Sequence, residues 1–240
     1  MGTRSARLKK THGMPRKARV ILVVSGIVCA SLSLVGYTFN MYSPARKPNV
    51  GVATRVAQAH WLVEVNDKYE ANVQKIAAIV RRYNPKLSPE RVRAISREIY
   101  DMSIKYDNLD PDLICATITH ESARTWDSTV VSSAGAMGLM QIMPATGAYL
   151  AALEGIQWTT AEEILFNPIY NIRLGCRYLS MLIDAYEVDG GLAAYNSGPK
   201  RAEKWLASNR NNQVLYRETR GYIPAVLRLY DQFRNSEGLL

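Results

Sequence analysis

The chain has 240 residues, yet only three cysteines, three histidines and three phenylalanines. Its first 48 positions hold no acidic residue at all. The cysteines and histidines form no C-x-x-C and no Cys/His cluster, so the ligand spacing of a zinc or iron site is missing. No metal and no cofactor is expected. Cys29 falls inside an apolar run. Cys115 and Cys176 fall on predicted helix faces and read as buried free thiols, although an oxidising compartment would permit a disulfide between them. Runs of alternating β-branched residues are scarce and no repeat of fixed period is visible, which argues against a β-sandwich, a barrel or a solenoid. An all-α body with one core is left.

Charge is present but unevenly placed. The formal net charge is +9, and residues 1–48 alone contribute nine Lys/Arg. The rest of the chain balances 21 basic against 21 acidic residues. A neutral body lacks the phosphate-neutralising surface that nucleic-acid binding needs, so no nucleic-acid partner is expected. The basic excess instead precedes residues 20–39, V-I-L-V-V-S-G-I-V-C-A-S-L-S-L-V-G-Y-T-F, which carry no charge. A helix of that length crosses the hydrocarbon core of a bilayer. Seven Lys/Arg within residues 1–19 predict a cytoplasmic tail, a transmembrane signal-anchor over 20–39, and a body on the periplasmic side of the inner membrane. A cleaved signal peptide and a buried core helix are the competing readings, but no A-x-A site follows the run and the strongly basic flank on one side argues against a core helix. Val28 before Cys29 is too large for a lipid-attachment site.

Helix signals then recur along the chain. Residues 40–106 read as a linker followed by accessory helices. Between 53 and 82 neither Pro nor Gly occurs, and Val56, Ala59, Leu62, Val63, Val73, Ile76, Ala77 and Val80 recur at three and four. That helix is either a stalk or part of the body. Ser88-Pro89-Glu90 is an N-cap followed by proline at the first helical position, and Val92, Ile95, Ile99 and Met102 share one face of the helix it starts. Asp110-Pro111 and Asn167-Pro168 repeat the start signal, and Thr160 to Glu163 has the form of a capping box. Helices are predicted from 168 to about 185, near 191–196, over 199–208 and over 213–233.

Five sequence blocks stand in order. L-I-C-A-T-I-T-H-E-S ends on Glu121-Ser122. S-S-A-G-A-M-G-L-M-Q-I-M-P-A-T runs from Ser132 to Thr146. N-P-I-Y-N-I-R-L-G-C-R-Y-L runs from Asn167 to Leu179. A-A-Y-N-S-G-P begins at Ala193, and E-T-R-G-Y spans Glu218 to Tyr222. Together they resemble the catalytic domain of the lytic transglycosylases of the soluble-lytic-transglycosylase, goose-lysozyme-like type, which cut bacterial peptidoglycan. The resemblance covers residues 107–235 and implies a lysozyme-like helical domain. One segment departs from the pattern: between Glu121 and Ser132 this chain is about two residues longer.

Breaking a glycosidic bond needs an acid to protonate the leaving oxygen, and a carboxyl does this at neutral pH only when its pKa is raised. Glu121 follows the apolar run L-I-C-A-T-I, the lining such a pocket would have. No convincing second carboxylate accompanies it; Asp127 is the nearest downstream acid. The resemblance implies that one Glu serves as acid and then as base. The MurNAc N-acetyl group assists, and the C6 hydroxyl closes a 1,6-anhydro ring without consuming water. By the same resemblance Ser132 would bind the N-acetyl group and Gln141 the sugar near the cleavage point. Met137, Met143 and the Gly135–Gly138 turn would form one wall, with the glycines letting the polymer pass close to backbone. Tyr195 and Tyr222 would bring phenol hydroxyls toward the acid and the sugar, while Asn196 and Glu218 would brace the cleft.

Plainer readings stand beside these. Gly135 and Gly138 can be turn formers only, and Trp126, Trp158 and Trp205 are expected in the core rather than stacked on sugars. His120 neighbours the acid but points about 100° away on a helix. Three functions are compatible with the pattern: a membrane-anchored lytic transglycosylase acting on glycan strands, a water-using muramidase with Asp127 as second carboxylate, or a non-catalytic wall-binding scaffold. An envelope-spanning secretion or conjugation machine is a candidate partner for the first and the third.

Overall fold

The computed structural model describes residues 50–235, with side chains from His60 onward. The basic tail and the apolar run 20–39 lie outside the described residues. Among those described, no helix is long and apolar enough to cross a membrane.

The chain divides into two compact units after Glu64. The described part of the first is the opening of a long helix, α1 (Val50–Tyr83), where Trp61, Leu62 and Val63 stand exposed. Of the apolar positions that recur at three and four along it, Leu62 and Val63 are exposed here. In the second unit the same helix carries Val73, Ile76, Ala77, Ile79 and Val80, all buried.

The second unit is built from α2 (Pro89–Lys105), α3 (Pro111–Glu121), α4 (Pro144–Glu154), α5 (Ala161–Leu165), α6 (Pro168–Ser197), α7 (Pro199–Ala207) and α8 (Arg217–Arg234), with a 3-10 turn at Asn212–Val214. Its starts follow the local chemistry. Ser88 accepts from the Arg91 amide, Asp110 from Asp112, Thr160 from Glu163 and Asn167 from Ile169, so each cap satisfies an amide that the helix leaves orphaned. Prolines 89, 111, 144, 168 and 199 open five of the helices. Helix α3 packs chiefly on α8, and α6 runs past α2, α4, α7 and α8. Val92, Ile95, Ile99 and Met102 on α2 are buried as their spacing predicts. Glu98 on α2 is buried too, held by both Nε (2.6 Å) and Nη2 (3.0 Å) of Arg173 on α6.

One expectation is met and one element is new. Pro168–Ser197 is broken by a kink at Glu187 (φ 62°, ψ −179°), whose non-helical backbone separates two helical stretches where a gap near 186–190 was expected. Just beyond the kink the chain packs tightly: a Cβ on Gly191 would lie 2.7 Å from Ile183 Cγ1. Helix α4 was not anticipated; its Gly147 is buried under Trp158. No strand forms among the described residues, only isolated bridges that pair Met137 with Val131 and with Ile142.

Candidate active site

Glu121 is the last residue of α3, a helix whose Asp112 to Thr119 are all buried. The chain turns away abruptly after it. Ala123 (φ 49°) and Arg124 (φ 63°) are both left-handed, and the Arg124 amide donates to the Thr119 carbonyl at 2.8 Å. Trp126 locks this turn: its amide donates to Ser122 Oγ (3.1 Å), its indole N–H to Thr119 Oγ1 (3.0 Å), and its carbonyl accepts from Asn84 (3.2 Å). Its ring is wholly buried, so Trp126 is core and clamp together. Trp205 is buried as well, and Trp158 packs against the core.

The Glu121 carboxyl is half-buried and receives the Tyr222 phenol at Oε1, 2.7 Å away. Burial drives its pKa up to about 7, the Tyr222 hydrogen bond pulls downward, and the negative charge of Glu218 adds to the rise. At neutral pH the group therefore holds a proton about half the time. Burial and the facing Glu121 charge push the Tyr222 phenol well above its ordinary range, so it stays a donor. Its ring is buried and meets His120 edge-on at 4.8 Å. His120 thus supports the phenol and does not bond the acid. Its pKa is lowered by burial and then by Arg124, with Glu218 opposing.

The carboxylate whose charge Glu121 feels is Glu218, exposed in the first turn of α8, and not Asp127. Glu218 makes no hydrogen bond among the described residues, so it contributes field rather than the bracing contact expected of it. Asp127 is exposed and engaged with Thr129 through Thr129 N (2.9 Å) and Oγ1 (2.7 Å), bonds that hold its pKa low.

The segment after Ser132 is a tight double turn. Gly138 N donates to Val130 O (2.9 Å), and Met137 and Ile142 exchange both backbone bonds at 3.0 Å. Gly138 has φ 79°, and a Cβ there would lie 2.2 Å from the Leu165 carbonyl and 2.3 Å from Asn171 Nδ2. The missing side chain makes room for the protein's own Asn171, which corrects the expectation that both glycines clear a path for the polymer. Gly135 (φ 87°) has nothing near its missing Cβ; backbone conformation alone favours glycine there. Gln141, left-handed at φ 48°, spends both amide hydrogens on backbone, Val130 O at 3.1 Å and Gly138 O at 2.8 Å. Only its Oε1 remains, as an acceptor. Ser132 Oγ accepts from the Ala136 amide (3.0 Å), which leaves its proton free to donate. Met137 is 6% exposed and belongs to the core, whereas Met143 is 44% exposed and free to form a wall.

Tyr195 donates to the Met140 carbonyl at 2.8 Å, so its proton is committed to backbone rather than aimed at the acid. Burial and then the Glu121 charge raise its pKa, which puts the phenol within electrostatic reach of that carboxyl. Asn196 Oδ1 accepts from Thr219 (2.7 Å), tying the end of α6 to the start of α8. Sequence reasoning gave no role to Asn171. It is fully buried, its Oδ1 accepts from Met140 N (2.7 Å), and its Nδ2 donates to Met137 O and Leu165 O (2.9 Å each). It therefore helps hold Met140, the residue whose carbonyl takes the Tyr195 proton. An asparagine flanked by Tyr170 and Ile172 in the first turn of the helix was the available signal, since a buried amide must find partners. Cys115 and Cys176 are free and buried, their thiols pushed well up by burial. Among the described residues no cluster of three or more metal-ligand side chains occurs.

Residues 99–215 match the family described as Transglycosylase SLT domain. The match stops short of α8, which supplies Tyr222. Relatives include the soluble lytic murein transglycosylase of Escherichia coli K12, 34% identical over 128 residues, covering 49% of this chain and 19% of the relative. A membrane-bound lytic murein transglycosylase C of Histophilus somni is 36% identical over 101 residues, 38% of this chain and 27% of the relative. Among solved structures, an inactive mutant of the lytic transglycosylase Slt from Pseudomonas aeruginosa superposes with a TM-score of 0.51 at 29% identity, covering 59% of this chain and 24% of that one. The 70 kDa soluble lytic transglycosylase of Escherichia coli gives 0.50 at 29% identity over 61% and 26%. The chain thus spans about a quarter or less of these longer proteins.

Proposed function

From the premise that residues 99–215 form a transglycosylase SLT domain, we propose that the chain is a lytic transglycosylase that cleaves the MurNAc-GlcNAc β-1,4 bond of peptidoglycan with Glu121 as its one acid and base. The observation that carries this reading is a half-buried carboxyl with a pKa of about 7, bonded to one phenol and, among the described residues, to no second carboxylate. The domain over 107–235 is the catalytic unit in this reading, and it includes α8.

Protonated Glu121 gives its proton to the glycosidic oxygen as the bond breaks. The N-acetyl carbonyl of the same MurNAc stabilises the developing cation, and the free Ser132 hydroxyl proton donates to that carbonyl. Gln141 Oε1 accepts from a sugar hydroxyl or amide. The Glu121 carboxylate, held by the Tyr222 hydrogen bond, then takes the proton of the C6 hydroxyl as its oxygen closes the 1,6-anhydro ring. Attack within one sugar needs no positioned water, and much of the rate comes from orientation.

The water-using alternative is less favoured, because Asp127 is engaged with Thr129 and is not a charge that Glu121 feels. Digestion of purified walls in heavy-oxygen water separates the two. A lytic transglycosylase leaves no label at the new MurNAc end, and label there would overturn the reading. Anchoring through residues 20–39 is part of the proposal; the uncharged run and a relative named membrane-bound support it. An enzyme held this way opens the wall locally, as an envelope-spanning secretion or conjugation apparatus requires.

A further inference from the structure

Helix α3 ends on two consecutive left-handed residues, Ala123 and Arg124, neither of them glycine. Glycine adopts that conformation without steric cost and is the usual residue where a helix turns off this way. Yet the second position, three residues past the acid, carries an arginine. Its backbone is fixed by the bond to Thr119 O and by the buried Trp126 clamp just beyond it. Its side chain is exposed and makes no hydrogen bond or ion pair among the described residues. The guanidinium lies close enough to bear on His120, whose ring packs on the phenol bonded to Glu121. A cation kept at a strained, rigid position beside the acid, with no partner among the described residues, calls for a partner in the substrate.

Peptidoglycan supplies one, since each stem peptide carries carboxylates. We propose that Arg124 is a specificity-determining residue that binds a stem-peptide carboxylate at the rim of the site, so that strands bearing charged stems are preferred. The inference rests on the lytic-transglycosylase reading. A cation after a helix C-terminus also suits the helix dipole, but that interaction is indifferent to the substrate.

The test uses the full chain in mild detergent with two substrates, purified walls and the same walls with their carboxyls converted to amides. Wild type, Arg124→Gln, Arg124→Lys and Arg124→Gly are compared for kcat, KM and thermal midpoint. On native walls Arg124→Gln raises KM about fivefold, or about 1 kcal/mol, with kcat unchanged. Wild type shows the same rise on amidated walls, and the variant shows no further rise there. Arg124→Lys recovers part of the loss. Arg124→Gly loses substrate affinity while its thermal midpoint stays level or rises, an outcome that a structural role for the side chain does not give. An equal loss on both substrates, no loss on native walls, or a wild type blind to amidation overturns the proposal. Sedimentation with insoluble walls reads the contact without turnover. Binding that depends on Arg124 and on carboxyls, without any released product, would sink the catalytic reading and leave this one standing.

Discussion

Replacing Tyr222 by phenylalanine isolates the interaction that sets the acid's working range. The phenol donates to Glu121 Oε1 at 2.7 Å and is the one interaction opposing the upward push of burial and of Glu218. A hydrogen bond to a charged acceptor is worth about 1.5–3 kcal/mol and one to a neutral acceptor about 0.5–1.5, so the carboxylate loses about 1–1.5 kcal/mol more than the carboxyl does. That difference is about one pKa unit, which moves Glu121 from about 7 to about 8. The proton donor is the protonated form, so activity falls as pH rises through the pKa, and the variant's fall comes about one unit later. At pH 8 the wild type keeps about a tenth of its acid-plateau kcat/KM and Tyr222→Phe about half of its own. The assay is a pH profile of kcat/KM for wall clearing, each protein normalised to its plateau. An alkaline limb that stays in place or moves to lower pH refutes the claim that the phenol stabilises the carboxylate.

Glu121→Gln removes all product release, and it also stabilises the fold. A carboxyl raised from 4.5 to about 7 contributes stability that is fully present below pH 4.5 and lost as pH rises through 7. The neutral variant therefore exceeds wild type by up to about 3 kcal/mol at pH 8, and the gap closes toward pH 4 in paired denaturant titrations. Gly138→Ala drives a methyl into Leu165 O and Asn171 and costs about 3 kcal/mol or more, whereas Gly135→Ala meets only backbone strain and costs about 1; thermal melts of the two variants check the order. Asn171→Asp replaces two donated bonds by repulsion from the Met137 and Leu165 carbonyls, and it lowers both the melting temperature and kcat, by about 3 kcal/mol in stability. Asp127→Asn leaves the pH profile unchanged, because its carboxylate is engaged with Thr129 and is not a charge that Glu121 feels.

Much of the helical scaffold could be read from local chemistry. Ser88, Asp110, Thr160 and Asn167 announce helix starts because a short polar side chain there satisfies orphaned amides whatever the tertiary context. That Glu121 ends a buried helix was legible from the apolar residues before it. Glycines were the weakest guide. A Cβ on Gly190 or Gly191 would come within 3 Å of Tyr186 or Ile183, and Gly147 lies tight against Trp158; only packing decides that. Partner choice was likewise hidden. The resemblance implies that Tyr195 lies near the acid, but which oxygen its proton serves depends on where Asn171 holds Met140. The left-handed turn at Ala123-Arg124 has no local glycine to announce it, since the buried Trp126 imposes it.

The most direct test of single-carboxyl catalysis is mass spectrometry of the muropeptides released from purified peptidoglycan by the full chain and by its Glu121→Gln variant. The expected products are lighter by one water than the corresponding reducing muropeptides, and all are absent with the variant. Reducing ends of full mass, or anhydro products that persist without the Glu121 carboxyl, would contradict it.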